Sequence, residues 1–159
     1  MKTDRKTFEA FLEKLREATG VEEFTADGDG LVSLRVDDAY NLNLQHVEAS
    51  GRILCFVEVA ELPVDAPAAV YRDLLAAGLF GRETAGGYFA LEKESETVVY
   101  NYFFDLEQAA ADVEEFARTL EKILQLCDLW AERVKRAVHA ATGAKTPKDN
   151  PPHGAFITA

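Results

Sequence analysis

The sequence has few of the residues that build catalytic, metal-binding and redox sites. Its three histidines, His46, His139 and His153, stand far apart, and its two cysteines, Cys55 and Cys127, form no Cys-x-x-Cys pair. It also has no Gly-x-Ser-x-Gly nucleophile elbow. Zinc sites and nucleophilic hydrolases depend on such groupings. We therefore expect a protein without enzymatic activity, metal or cofactor, in which both cysteines are buried, reduced thiols.

Cations are also scarce, since 17 lysines and arginines stand against 28 aspartates and glutamates and the net charge is -11. Nucleic acids and anionic membranes both require clustered cations, so the composition argues against either as a partner. No apolar run approaches the length of a membrane-spanning helix. The N-terminal residues Met-Lys-Thr-Asp-Arg-Lys contain no apolar signal-peptide core, which predicts a cytoplasmic protein.

The sequence does contain a succession of amphipathic segments joined by short turns. The apolar residues of 4–18, among them Phe8, Phe11 and Leu15, recur at helical spacing and predict a first helix that ends at Gly20. Period-2 alternation and turn residues then predict a meander of three strands and, later, a hairpin opened by Gly86. The predicted strands are residues 31–36, 40–47, 53–59, 88–91 and 97–104.

The third predicted strand is apolar at nearly every position from Ile53 to Val59, including Leu54 and Phe56. A strand of this kind is typical of the centre of a sheet that is covered on both faces. We therefore expect this strand to be central and covered on both sides.

Residues 65–81 predict a central helix, with Asp65 as its N-cap and Pro67 in its first turn. Only Arg72 and Asp73 interrupt its apolar middle. A helix that is apolar on most sides has to be covered on most sides, and one sheet covers only one of them. A second copy of the chain is the cover that we expect for the other side.

The last predicted helix starts near Asp105 and reaches Ala141, with a heptad-like seam of apolar residues. From residue 142 onward glycine, proline, lysine and asparagine dominate, which predicts a disordered tail over 142–159. The complete prediction is one α+β domain over residues 1–141. Its order is α-β-β-β-α-β-β-α, with helices packed on a twisted antiparallel sheet.

Several of these segments, taken in order, carry a resemblance to a known family. They are Asp29-Gly30-Leu31 with Leu34-Arg35-Val36, Tyr40-Asn41-Leu42-Asn43-Leu44, Glu61-Leu62-Pro63-Val64-Asp65-Ala66-Pro67 and Leu74-Leu75-Ala76-Ala77-Gly78-Leu79-Phe80-Gly81. With the closing hairpin and the acidic, apolar last helix, they resemble the Tir-chaperone (CesT-like) family of class I type III secretion chaperones. The resemblance extends from about Phe8 to Trp130.

The resemblance implies a homodimeric cytoplasmic chaperone that keeps a secreted effector competent for secretion by holding its N-terminal segment extended, without ATP. In this family the central helix and a neighbouring strand form the dimer interface. The corresponding residues here are Val70, Tyr71, Leu74, Leu75 and Phe80. The effector is expected on apolar patches of the first helix and the sheet, or as an added strand at a sheet edge. The predicted contacts are Phe11, Leu15, Leu31, Ser33, Arg35, Leu42 and Leu44, each of which also fits ordinary core packing.

Two other functions stay open at this point. A dimeric adaptor or regulatory protein of the same fold would bind a folded partner, whereas a chaperone would retain its partner through a short unfolded segment. A small-molecule enzyme would instead require a closed pocket lined by convergent carboxylates.

Overall fold

Five antiparallel strands form one sheet, and the helices pack on one of its faces. The computed structural model describes the backbone of residues 4–149 and the side chains of residues 4–141. The helices are α1 (Arg5–Thr19), α2 (Ala68–Ala77), α3 (Leu106–Ala111) and α4 (Val113–Asp149). The strands are β1 (Leu31–Val36), β2 (Tyr40–Val47), β3 (Arg52–Glu61), β4 (Tyr88–Glu92) and β5 (Thr97–Asp105), in the sheet order β1-β2-β3-β5-β4. The predicted α+β class is confirmed, with one additional short helix.

Helix α1 begins and ends at the residues that its sequence indicates. The Thr7 N–H donates a hydrogen bond of 3.0 Å to the Asp4 carboxylate, which caps the first turn. Gly20 ends the helix with a left-handed φ of 73°, a conformation that glycine adopts without steric cost. The apolar face of α1, which includes Phe8 and Phe11, is buried in the core.

The strand register defines which face of the sheet the helices cover. His46, Ile53 and Phe104 lie in one row across the sheet, and Phe104 contacts the ring of Phe116 in α4 at a centroid distance of 4.3 Å. Successive side chains of a strand point to opposite faces. The neighbouring residues Leu54 and Phe56 of β3 therefore point away from the helices, and both are partly exposed.

This exposure corrects one prediction. β3 is central in the sheet, as expected, but within the part of the chain that the structure describes it is covered on one face only. The apolar residues on its second face need a different explanation from burial in the subunit.

Helix α2 is shorter than predicted and begins differently. Pro67 occupies the N-cap position and no side chain caps the helix, so the predicted capping role of Asp65 is wrong. Three residues of α2, Val70, Leu74 and Ala77, are buried against the rest of the subunit. A single 3-10 turn, Leu79–Gly81, follows the helix.

The last predicted helix is divided in two at Asp112, which has the non-helical dihedral angles φ −142° and ψ 81°. Its carboxylate accepts a hydrogen bond of 3.0 Å from the N–H of Glu115, so that α4 starts with its own cap. Helix α4 continues to Asp149, past the predicted end at Ala141, and the rest of the predicted tail, residues 150–159, lies outside the described residues. Neither α4 nor any other described helix has the apolar stretch that crossing a membrane needs.

Cys55 in β3 and Cys127 in α4 are both buried free thiols, as predicted. Burial raises the pKa of Cys127 to about 12 and also raises the pKa of Cys55. Both thiols therefore stay protonated at neutral pH and contribute to packing as small apolar groups.

The hairpin of β4 and β5 depends on the absence of a side chain at Gly87. A Cβ atom at this position would lie 2.4 Å from both the carbonyl oxygen of Asn101 and the hydroxyl oxygen of Tyr100. The Tyr100 hydroxyl cannot move freely, because it donates a buried hydrogen bond of 2.7 Å to the carbonyl of Thr84. The packing at the start of the β4–β5 hairpin therefore leaves no room for a side chain at position 87.

We expect Gly87→Ala to lower the free energy of unfolding by about 1–3 kcal/mol, the range typical of overpacking. Urea unfolding followed by circular dichroism measures this change. Gly28→Ala is the matched control, because no heavy atom lies within 4 Å of a Cβ atom built there. Equal unfolding midpoints for the two variants would contradict the close approach at Gly87.

Candidate partner-binding surfaces

The first surface is formed by α2, the 3-10 turn and strand β4, and we call it the α2–β4 surface. Its apolar side chains are exposed: Leu75 by 76%, Leu79 by 64% and Phe80 by 82%. Tyr71 and Leu75 are four residues apart and share one side of α2, next to its buried side, and Leu79 follows in the 3-10 turn. Leu75, Leu79, Phe80 and Leu91, which lie on this surface, are four of the seven exposed large hydrophobic residues of the described chain.

A groove of about 230 Å³ runs along the α2–β4 surface between the helix and the inner face of β4. Tyr71 and Leu75 line it from the helix, and Phe89 and Leu91 line it from the strand. β4 is also an edge strand, so the described chain pairs it on one side only. The groove and the unpaired strand edge together offer both apolar contacts and main-chain hydrogen bonds to a partner.

Phe80 is held at the edge of this surface in an unusual backbone conformation. Its φ is 58°, in the left-handed region that residues other than glycine rarely occupy. The strain places a large apolar ring in solvent, with the Arg82 guanidinium 5.8 Å from the ring centroid. Strained residues with exposed apolar side chains are typical of binding sites.

The five residues predicted for a dimer interface fall into two groups. Leu75, Phe80 and the partly exposed Tyr71 lie together on the α2–β4 surface. Val70 and Leu74 are 3% and 7% exposed and pack inside the subunit. The helical periodicity correctly marks α2 as apolar on two sides, but it does not separate the side that faces the core from the side that faces solvent.

Arg133 of α4 holds α2 from behind this surface. Its guanidinium donates two hydrogen bonds to the Asp73 carboxylate, at 2.9 and 2.7 Å, and lies 4.4 Å from the Trp130 ring centroid. Glu83, which follows the 3-10 turn, is 3.8 Å from the same guanidinium. The Arg133–Asp73 ion pair is partly exposed, so it contributes mainly to the orientation of α2 and little to the stability of the subunit.

The second surface is the face of the sheet that points away from the helices, which we call the open sheet face. Its centre is apolar, with Leu54 and Phe56 of β3 beside Phe103 of β5. The guanidinium of Arg52 lies over the Phe103 ring at 4.1 Å. Each of the three apolar side chains is partly exposed.

Polar side chains border the open sheet face on β1 and β2. The Ser33 hydroxyl donates to Asn43 Oδ1 at 2.7 Å, and Arg35 donates to Asn41 Oδ1 at 3.0 Å. Asn41 in turn donates to the Glu58 carboxylate at 2.8 Å. β1 forms the second edge of the sheet, so these groups lie next to a strand that the described chain pairs on one side only.

The predicted effector contacts also divide by burial. Leu31, Ser33 and Arg35 alternate along β1 on the open sheet face and are at least partly exposed. The other four are no more than 1% exposed and belong to the hydrophobic core. These four, which a partner cannot reach without displacing the core, are Phe11, Leu15, Leu42 and Leu44.

Sequence reasoning missed Leu54, Phe56 and Phe103 as candidate contacts. The signal was present in β3, where apolar residues follow one another without alternation. Such a pattern predicts coverage of both faces within the subunit, but it also arises when a partner covers one of the faces.

Comparison with known proteins agrees with this architecture. The sequence profile of the Tir chaperone protein (CesT) family matches residues 10–131. A protein of Chlamydia pneumoniae is 26% identical over 105 residues, which cover 65% of this chain and 77% of that protein.

Solved structures with the same fold include three complexes. One is the HopA1–SchA chaperone–effector complex, with a TM-score of 0.67 and 21% identity over 79% of this chain and 94% of the matched chain. The second is the ExsC–ExsE complex, with a TM-score of 0.68 and 20% identity over 83% of this chain and 96% of the matched chain. The third is the heterodimeric ExoU–SpcU complex from the type III secretion system of Pseudomonas aeruginosa. Its TM-score is 0.55, with 16% identity over 82% of this chain and 96% of the matched chain. Because the family profile matches well over half of the chain, this protein belongs to the Tir chaperone protein (CesT) family.

Proposed function

We propose that this protein is a non-enzymatic type III secretion chaperone. In this proposal it acts as a homodimer and holds the N-terminal segment of an effector protein in extended form, which keeps the effector competent for secretion. The observations that carry the proposal are the edge strand β1, which the described chain pairs on one side only, and the apolar centre of the open sheet face on β3 and β5. No nucleotide, metal or cofactor takes part.

The kind of partner is supported by the family and by the structural neighbours. One neighbour is described as a chaperone–effector complex, and another pairs ExoU with SpcU from a type III secretion system. A secreted effector is therefore the partner class that the family relationship favours for this chain.

An extended segment suits the geometry of β1. A strand added at this edge would make main-chain hydrogen bonds regardless of its sequence, and its alternate side chains would reach the open sheet face. Leu31, Ser33 and Arg35 would then contact those side chains and select the segment. Leu54 and Phe56 lie two strands further in than β1, so only a part of the effector that continues across the open sheet face would contact them. Main-chain pairing supplies affinity, and the side-chain contacts supply register and specificity.

A homodimer suits the α2–β4 surface. Two copies related by a twofold axis would each contribute the same patch, so that Leu75, Leu79 and Phe80 cover one another. The open sheet face lies on the opposite side of the sheet from α2, so one subunit could use both surfaces at once.

The experiment is a co-purification of the tagged chain from its native cell, followed by limited proteolysis of whatever protein is retained. We expect an effector whose protected region is a short segment near its N-terminus. Retention of a compact folded domain would instead favour the dimeric adaptor.

For the effector so identified, we expect Leu31→Asp/Ser33→Asp to weaken binding about tenfold or more, because two carboxylates would replace the β1 contacts. Isothermal titration calorimetry with the protected segment measures the affinity. The matched control is Gln125→Asp/Leu129→Asp, which adds two carboxylates at exposed positions of α4. Equal affinities for the two double variants would contradict binding at β1.

A further inference from the structure

Asp27 occupies the main-chain groups at the N-terminal end of strand β1. Its N–H donates a hydrogen bond of 2.9 Å to the carbonyl oxygen of Leu31, and its carboxylate accepts one of 3.0 Å from the N–H of Leu31. We call these two hydrogen bonds the Asp27–Leu31 pair. Because of it, neither main-chain group of Leu31 is available to a further strand.

The hydrogen-bond pattern of the sheet shows which other groups of β1 point away from β2. The carbonyl of Gly30 accepts a hydrogen bond of 3.2 Å from the N–H of His46 in β2. In an antiparallel pair the residues of a strand face its neighbour alternately, so Leu31 points its main-chain groups away from β2. The same alternation places those of Ser33 and Arg35 on this outer side. Within the described chain, no strand lies beyond β1, so these two residues are the ones that it offers for pairing.

The Asp27–Leu31 pair is held in place from helix α1 and by its own loop. The guanidinium of Arg5 donates hydrogen bonds to the carbonyl oxygens of Asp27 and Gly28, the second at 2.6 Å. The Asp27 carboxylate also accepts a hydrogen bond of 2.8 Å from the N–H of Asp29. The N–H groups of Leu31 and Asp29 lower the pKa of Asp27, so its carboxylate is ionised at neutral pH.

We propose that Asp27 is a positioning residue that sets the alignment of the effector segment on β1, an inference that rests on the proposed function. The main chain of the segment pairs with Ser33 and Arg35 and stops before Leu31, whose donor and acceptor are already bonded. At the other end, Asp37 leaves the strand with a φ of 51° and begins the turn to β2. A segment shifted by two residues in either direction would lose the partners of one of these two residues, so one alignment is favoured.

The test is amide hydrogen exchange of the full-length chain, measured by NMR with and without a synthetic peptide. The peptide is the effector segment that limited proteolysis leaves after the co-purification. In the free chain we expect the Leu31 amide to exchange about tenfold or more slowly than the amides of Ser33 and Arg35, relative to their intrinsic rates. Saturation with the peptide should slow Ser33 and Arg35 by about tenfold or more and change Leu31 by less than about twofold. The pKa of Asp27 should stay lowered in the complex, because its hydrogen bonds persist.

Three variants separate the carboxylate of Asp27 from the rest of its loop. Asp27→Ala removes the acceptor, so the Leu31 amide of the free variant should exchange about tenfold or more faster, and the peptide should slow it again by extending its pairing to Leu31. Asp27→Asn keeps an acceptor oxygen and should behave as the unmodified chain. Asp29→Ala is the matched control, because it removes an exposed carboxylate of the same loop that does not bond Leu31.

Two kinds of result would overturn this inference, and they differ in what they leave standing. A Leu31 amide that exchanges as fast as that of Ser33 in the free chain, or that is unchanged in Asp27→Ala, would refute the role of Asp27 alone. A return of the Asp27 pKa to its ordinary value on peptide binding would do the same, and the chaperone function would stand in each case. A bound peptide that leaves the amides of Ser33 and Arg35 unprotected would refute strand addition at β1 itself, and this inference with it.

Discussion

We expect the unmodified chain to be a dimer at micromolar concentrations and the double variant Leu75→Asp/Phe80→Asp to be a monomer at the same concentrations. Both side chains are largely exposed in the single subunit, so their replacement leaves the core intact. In a dimer that buries the α2–β4 surface, four carboxylates would enter an apolar interface without partners. We expect the dimer dissociation constant to rise by at least ~1,000-fold, or ~4 kcal/mol.

Sedimentation equilibrium over a range of concentrations measures this change, and circular dichroism verifies that the variant is folded. The control is Gln125→Asp/Leu129→Asp, which also adds two carboxylates, one of them at a 60% exposed leucine, but outside the α2–β4 surface. A double variant at Leu75 and Phe80 that still dimerises would place the interface elsewhere. A wild-type chain that is monomeric at these concentrations would overturn the homodimer itself.

The elements whose bounds could be predicted are those for which the local sequence alone determines where the element begins and ends. β1 and β2 have the predicted bounds, because the alternation of β2 agrees with a tight turn at Asp37 and Asp38, which both have positive φ. Helix α1 is equally determined, since Asp4 and Gly20 mark its two ends. In each case the sequence period and the turn chemistry agree, and tertiary packing does not change the outcome.

The break between α3 and α4 could not be predicted in the same way. Asp105 and Asp112 both accept capping hydrogen bonds from N–H groups three residues later. In the sequence, however, Asp112 is one of many acidic residues in an otherwise helical segment. Only the packing of the two helices shows that it caps a new helix rather than facing solvent within a longer one.

The candidate sites could be predicted only in part, for a related reason. Apolar periodicity shows that a side chain is buried, but it does not show whether the subunit or a partner buries it. Leu74 and Leu75 are adjacent and chemically identical, yet one is 7% and the other 76% exposed. The same ambiguity assigned Leu42 and Leu44 to the effector, although they face the helices.

Phe11 offers the sharpest test of this distinction. Its ring is 1% exposed, stacks on Phe8 at a centroid distance of 6.4 Å and meets the Phe116 ring edge-on at 4.8 Å. Removing such a ring leaves a cavity between α1 and α4, and we expect Phe11→Ala to lower the free energy of unfolding by about 3–5 kcal/mol. Urea denaturation gives this value directly.

The companion measurement is the affinity of Phe11→Ala for the effector segment under conditions in which the variant is folded, where we expect it to stay within about threefold of wild type. Leu31→Ala is the control with the opposite pattern, because Leu31 is partly exposed on β1 and its loss should cost affinity more than stability. A Phe11→Ala variant that keeps its stability and loses the effector would mean that α1 opens to expose this ring to the client. The core around Phe11 would then be the binding site itself, and β1 only its border.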